Sequence, residues 1–295
     1  MKPIHIAELL LLAALWGGSF LFMRVAAPEL GPVWLIEARV LLAGLTLLPI
    51  VIHQRLLGAL RVHWGPLLVV GLLNSALPFC LLAFTSLSLP AGTTAILNGT
   101  VPFFGVVVAF VWLHERLTWS RVVGLGLGFA GVVVLVGLRG TVVTPGLLTA
   151  IAAGLTAALL YAIAAPFIRL RLQGVPSLVI ATGSQLSAAV ILLPLLPFTQ
   201  PRQPPSDQAL LAVLALAVLS TSLAYILYFR LIHQVGSTRA LTVAYLIPLF
   251  AMVWGALLLG ETITAAMGVG CGLILLGTGI ANGFLKLSRL GGGDR

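Results

Sequence analysis

Two ionisable side chains lie well inside apolar stretches of this chain, Glu37 and Arg39. A charge at the centre of a membrane span costs roughly 2.5 to 3.5 kcal/mol on insertion scales, so such residues mark a ligand path, a gate or a structural pairing. Two positions apart on a helix, they do not face each other, so mutual neutralisation is not assumed. Arg39 either reaches a cavity, where it would bind an anionic group, or holds helix-end carbonyls. Glu37, nearer the surface, is assigned to the interface, and Glu8 to the cytoplasmic boundary. The uncharged groups at mid-depth suit a largely neutral chamber. Trp16, Ser19, Asn74, Asn98, Tyr161, Gln185, Tyr225 and Tyr245 are the expected substrate-binding set together with Arg39, although each could serve instead as interhelical glue. Ser220, Thr221, Tyr228 and Trp254 lie at similar depth.

Other spacings do not carry the chemistry they spell. Gly126, Gly128 and Gly131 match a dinucleotide fingerprint but sit in an apolar helix with no preceding strand. His114-Glu115 lacks the second histidine of a zinc helix, and Asn98-Gly99-Thr100 is a glycosylation sequon within a predicted span. No catalytic residue, metal or cofactor is expected, and the protein is read as no enzyme. Cys80 and Cys271 lie in separate apolar runs and are read as free thiols.

The elements that position these residues are membrane helices. Of 295 residues 60% are hydrophobic and 8% charged, whereas a soluble domain carries about 25% charged residues. The apolar runs are each about 20 residues long: 6–25, 33–53, 66–87, 93–113, 121–138, 146–168, 177–198, 208–231, 238–260 and 265–285. The first is kept as a permanent helix rather than a signal peptide, because its apolar run continues past Gly18. Residues 199–207 form a proline-stiffened connector.

The chain also repeats itself. Pro102, Glu115, Thr118, Gly124, Gly126 and Gly131 recur 146 positions later as Pro248, Glu261, Thr264, Gly270, Gly272 and Gly277, and Trp16 and Arg24 align with Tyr161 and Arg169 at 145. The expected fold is therefore an all-α integral membrane protein of ten transmembrane helices, as two five-helix repeats at residues 1–140 and 141–295. Five being odd, the repeats are inverted. With a cytoplasmic N-terminus, twelve Lys and Arg residues fall inside and Arg24, Arg139 and Arg202 outside, which places both termini in the cytoplasm. Inverted repeats that rock about a midplane site are a common transporter geometry. Pro78, Pro102, Pro166 and Pro248 are expected to interrupt helices as hinges. Gly124/Gly128 and Gly268/Gly272 have the small-xxx-small spacing that lets these helices pack closely, against each other or against a second subunit.

Trp16-Gly17-Gly18-Ser19-Phe20, Arg39-Val40-Leu41-Leu42-Ala43 and the doubled Pro102/Glu115/Gly124 and Pro248/Glu261/Gly270 patterns resemble the ten-helix EamA branch of the drug/metabolite transporter superfamily. That resemblance covers nearly the whole chain. It implies a multi-pass carrier of the bacterial inner membrane, commonly an exporter of amino acids or related metabolites. The resemblance treats the Pro/Glu/Gly pattern as scaffold and leaves the substrate open. The four-helix multidrug members use a buried glutamate in their first helix, where this chain offers only Glu8. Neutral or aromatic amino acids are the expected cargo, with export of cationic drugs or quaternary ammonium compounds coupled to protons as the alternative. The expected partners are a small molecule and the lipid bilayer, without nucleic acid, for a monomer or homodimer.

Overall fold

The computed structural model describes residues 2–112, 114, 115, 117–137 and 144–281. Arg116, Arg139, Lys286, Arg289 and Arg295, and the end of the last expected span beyond Ala281, lie outside the described residues. Among those described there are helices and no strands, as an apolar solvent demands of a backbone that must satisfy its own polar groups. Among the described residues six helices are long and apolar enough to cross a membrane: α1 (Pro3–His53), α2 (Trp64–Ser88), α3 (Ala91–Trp112), α5 (Pro145–Arg171), α6 (Ser177–Phe198) and α7 (Asp207–Val235). Three shorter apolar helices complete the set: α4 (Trp119–Gly137), α8 (Val243–Leu259) and α9 (Ala265–Ala281).

The 51 residues of α1 would extend about 77 Å at 1.5 Å per residue. They are broken at Gly31 (φ 72°, ψ 159°). Glycine tolerates the positive φ, and the following Pro32 disfavours helical geometry at the residue before it. Two limbs result, 3–30 and 32–53, close to the two spans read from the sequence. At this turn both Glu29 carboxylate oxygens accept from Ser206, one from its amide (2.6 Å) and one from its hydroxyl (2.8 Å). Trp34 Nε1 donates to the Leu196 carbonyl at 3.0 Å. The start of α7 and the end of α6 are thus tied to the bend of α1.

The 146-residue period reappears in the backbone. A π turn at Leu72–Ala76 widens α2 and another at Val218–Leu223 widens α7. The first precedes Pro78, which has no N–H to return to the preceding turn. The second has no proline: Thr221 and Ser222 hydroxyls donate five residues back, to Leu216 (2.8 Å) and Ala217 (3.1 Å). The exits of α3 and α8 also match. The Glu115 amide donates to the Ala109 carbonyl (3.1 Å) and the Glu261 amide to Gly255 (3.0 Å), each after a left-handed residue, His114 (φ 53°) or Gly260 (φ 65°).

The glycines of α4 and α9 bring two backbones into contact. A methyl group on Gly124 would stand 2.6 Å from the Gly277 carbonyl oxygen, and one on Gly131 would stand 2.8 Å from that of Gly270. Position advances along one helix as it recedes along the other, so these two helices, one from each repeat of the sequence, pack antiparallel. Gly128 faces the Phe103 ring.

Three details differ from expectation. Gly268 and Gly272 face open space: they lie about 200° around α9 from Gly270, so Gly270 and Gly277 make the close approach instead. Pro166 and Pro248 sit inside uninterrupted helices. Of the four expected hinges, Pro78 and Pro102 adjoin irregular backbone, Pro102 following the turn at Gly99 and Thr100. The expected ninth span begins as the short turn Ser237–Ala240 and resumes at Val243.

Candidate functional site

The π turns expose backbone and hydroxyl groups in mid-helix, and a polar side chain meets each of them. Arg39, on the second limb of α1 and 4% exposed, donates from Nε to Thr221 Oγ1 in α7 at 3.0 Å. Gln185 in α6, fully buried, donates from Nε2 to Ser75 Oγ in α2, also at 3.0 Å. Gln185 lies 146 positions after Arg39, and Thr221 146 after Ser75. The two bonds are therefore images of each other under the sequence repeat.

The aromatic walls follow the same relation. Trp16 in α1 meets Tyr225 in α7 edge to face, ring centroids 6.5 Å apart. Tyr161 in α5 meets Phe79 in α2 at 6.3 Å. Tyr228 adds a second ring against Trp16 at 5.1 Å. The Arg39 guanidinium carbon stands 3.6 Å from the Phe79 ring centroid, a separation at which a ring face attracts a cation. Tyr161 and Tyr225 lie within electrostatic reach of Arg39, and Asn74 lies beside the Tyr225 hydroxyl.

Arg39 Nε is spent on Thr221, while neither terminal amino group has a hydrogen-bond partner among the described residues. A buried guanidinium with two donor groups to spare, among aromatic faces, suits a planar carboxylate.

Six of the nine substrate-binding residues named from sequence meet in this cluster: Trp16, Arg39, Asn74, Tyr161, Gln185 and Tyr225. Ser19 is buried and turns its hydroxyl to the Trp16 carbonyl of its own helix, at 2.6 Å. Asn98 ends the helical segment Ala91–Asn98, and Tyr245 lies in the first turn of α8. Sequence reading missed Ser75 and Phe79 and placed Thr221 only among the mid-depth groups of a neutral chamber. Their signal was the repeat itself, since Ser75 and Phe79 are the images of Thr221 and Tyr225. Glu37, assigned to the interface, is only 5% exposed, and its Oε2 has no hydrogen-bond partner among the described residues.

Glu8 is buried rather than bathed at a boundary (8% exposed). Its Oε1 lies 3.0 Å from Arg230 Nη2 and its Oε2 3.7 Å from His5 Nδ1, joining the start of α1 to the end of α7. Two apolar clefts lie elsewhere. One of about 490 Å³ runs between Phe22 and Val25 of α1, Leu211 and Ala215 of α7, and Leu258 of α8. The other, about 260 Å³, lies beside Pro102, Gly105 and Arg121. Among the described residues no three His, Cys, Asp or Glu side chains group as metal ligands.

The model of the EamA-like transporter family matches residues 5–137 and 148–283. A probable amino-acid metabolite efflux pump of Salmonella typhimurium is 26% identical over 284 residues, 91% of each chain. An S-adenosylmethionine/S-adenosylhomocysteine transporter of Chlamydia trachomatis is 27% identical over 282 residues, covering 90% of this chain and 85% of that one. An uncharacterized transporter of Archaeoglobus fulgidus is 24% identical over 273 residues, 91% of this chain and 95% of its own. A solved crystal structure superposes with a TM-score of 0.67 at 20% identity, covering 98% of this chain and all of that one.

Proposed function

The chain belongs to the EamA-like transporter family, and from that premise we propose that it carries neutral or aromatic amino acids, or close metabolites, out of the cell by alternating access. Counting α1 as two crossings at Gly31, the helices make ten passes in two inverted halves, residues 1–140 and 141–295. The two family matches and the antiparallel packing of α4 on α9 support this division. The positive-inside bias supports cytoplasmic termini in a bacterial inner membrane. We assign the site to the centre, where the halves exchange the Arg39–Thr221 and Gln185–Ser75 bonds, with Asn98 and Tyr245 on the path and the bends at Pro78 and Pro102 as hinges.

One observation carries the cargo: the unspent amino groups of buried Arg39 beside three aromatic rings. The guanidinium takes the carboxylate, the rings take an ammonium or an apolar side chain, and the few other charges leave little to hold a polyanion. Uptake of a panel of labelled amino acids into liposomes, with and without a pH gradient, tests the reading. Phenylalanine or leucine should enter. Failure of all neutral amino acids while quaternary ammonium compounds pass would overturn it. The buried Glu37 favours a second reading, export coupled to a proton held there, in which transport follows the pH gradient and Glu37→Gln abolishes that dependence.

A further inference from the structure

Where α2 ends and α3 begins, one acid and one base tie four segments together. Both carboxylate oxygens of Glu261, just beyond α8, accept from the Ala91 amide, at 3.1 and 2.9 Å. Arg24 on α1 donates from Nη1 to the Ser86 and Leu87 carbonyls, at 2.7 and 2.9 Å. Its Nε lies 3.7 Å from Glu261 Oε1. The carboxylate satisfies a first-turn amide of α3 and the guanidinium satisfies last-turn carbonyls of α2, groups that helix ends leave open. Glu261 comes from the second repeat and every other member from the first, so the tie joins the two.

Each part has an image at the far end of α3. Glu261 corresponds to Glu115, Ala91 to Ser237 and Leu87 to His233 at 146 positions, and Arg24 to Arg169 at 145. The acids leave their helices through the same turn, with matching bonds to Ala109 and Gly255. Their contacts differ. Glu115 Oε2 is held 2.9 Å from Arg121 Nη2, six residues on in its own repeat, and Arg169 is exposed. The image of Arg121 is Met267, so the second repeat offers Glu261 no such diversion. Glu115–Arg121 is solvent-accessible, with side chains 38% and 29% exposed, and a pair of that kind exchanges readily. The other ion pair at that end, Glu8–Arg230 with His5, would have Gly154 and Phe84 as images and takes no part in an exchange.

Resting on the alternating-access reading, we propose that Glu115 and Arg169 are the counterpart latch. In the opposite conformation Glu115 leaves Arg121 for Arg169 and closes its end of the molecule, while Glu261 and Arg24 part and open theirs. The structure holds one latch made and the other unmade.

Distances between spin labels in the full chain, with Cys80 and Cys271 replaced by serine, test this without any cargo. One label pair, at Ser88 and Thr262, straddles the made latch; the other, at Leu117 and Gln173, straddles the unmade one. The expected result is that Glu261→Gln or Arg24→Gln lengthens the first distance and shortens the second. Adding Glu115→Gln or Arg169→Gln should reverse the second change, and the charge-swapped pair Glu115→Arg with Arg169→Glu should recover it. If Glu261→Gln moves both distances while neither Glu115 nor Arg169 matters, the counterpart latch is wrong and alternating access stands. If no variant moves either distance while the swapped pairs fold as well as the parent, alternating access fails too.

Discussion

Arg39 and Gln185 stand at the same place in the two repeats, and each bonds, at 3.0 Å, to the π turn of the other. The hydroxyl acceptors, Thr221 and Ser75, are equivalent as well. On the proposed reading of two inverted halves, such crossed contacts follow from a two-fold axis, here with one cation and one amide where strict symmetry would require the same residue twice. If Arg39 takes the cargo's carboxylate as proposed, this asymmetry gives the cargo a single direction. Gln185→Leu should therefore leave the carboxylate end of the cargo intact and disturb its other end. We expect the KM for phenylalanine to rise by less than Arg39→Gln raises it, measured by uptake into liposomes.

The close approach of α4 and α9 sets a second expectation. Gly277→Leu or Gly124→Leu would drive a side chain into the facing backbone, and overpacking of this kind costs about 1–3 kcal/mol. Gly268→Leu and Gly272→Leu meet open space and should stay within about 0.5 kcal/mol of the parent. Thermal unfolding of the four variants in detergent separates these outcomes.

The aromatic walls should discriminate by cargo. Trp16→Ala and Tyr161→Ala each remove one ring of a pair, and such a ring contributes about 0.5–1.5 kcal/mol beyond its area. Competition measurements should show phenylalanine losing roughly threefold to tenfold in apparent affinity, with alanine changed less.

That the chain is built of apolar, membrane-length helices was legible in the sequence because its apolar runs have bilayer length, and the 146-residue period because Pro, Glu and Gly recur at a fixed offset. Six of the nine expected binding residues converge because polar groups at mid-depth gather where lipid is excluded. What was hidden depends on rotation about helices. Gly268 and Gly272 lie on the face of α9 turned away from α4, since only the crossing geometry selects Gly270 and Gly277 for that contact. Pro248, the sixth residue of α8, forgoes the bond an amide there would make to the Ala244 carbonyl, yet the helix continues unbroken to Leu259. The π turn at Val218–Leu223 carries no proline to announce it; hydroxyl bonding by Thr221 and Ser222 does that work. Glu37 looked interfacial by depth along the chain, yet neighbouring helices cover it.

The most direct measurement compares uptake of labelled phenylalanine and of its uncharged-carboxyl analogue, phenylalaninamide, by liposomes carrying the parent chain or Arg39→Gln. A charge-assisted bond to a buried guanidinium contributes about 1.5–3 kcal/mol, or roughly tenfold to a hundredfold in affinity. The parent should take up phenylalanine at least tenfold better than the amide, and Arg39→Gln should erase that difference. Equal uptake of the two by the parent, or an undiminished preference in Arg39→Gln, would contradict a carboxylate site at Arg39.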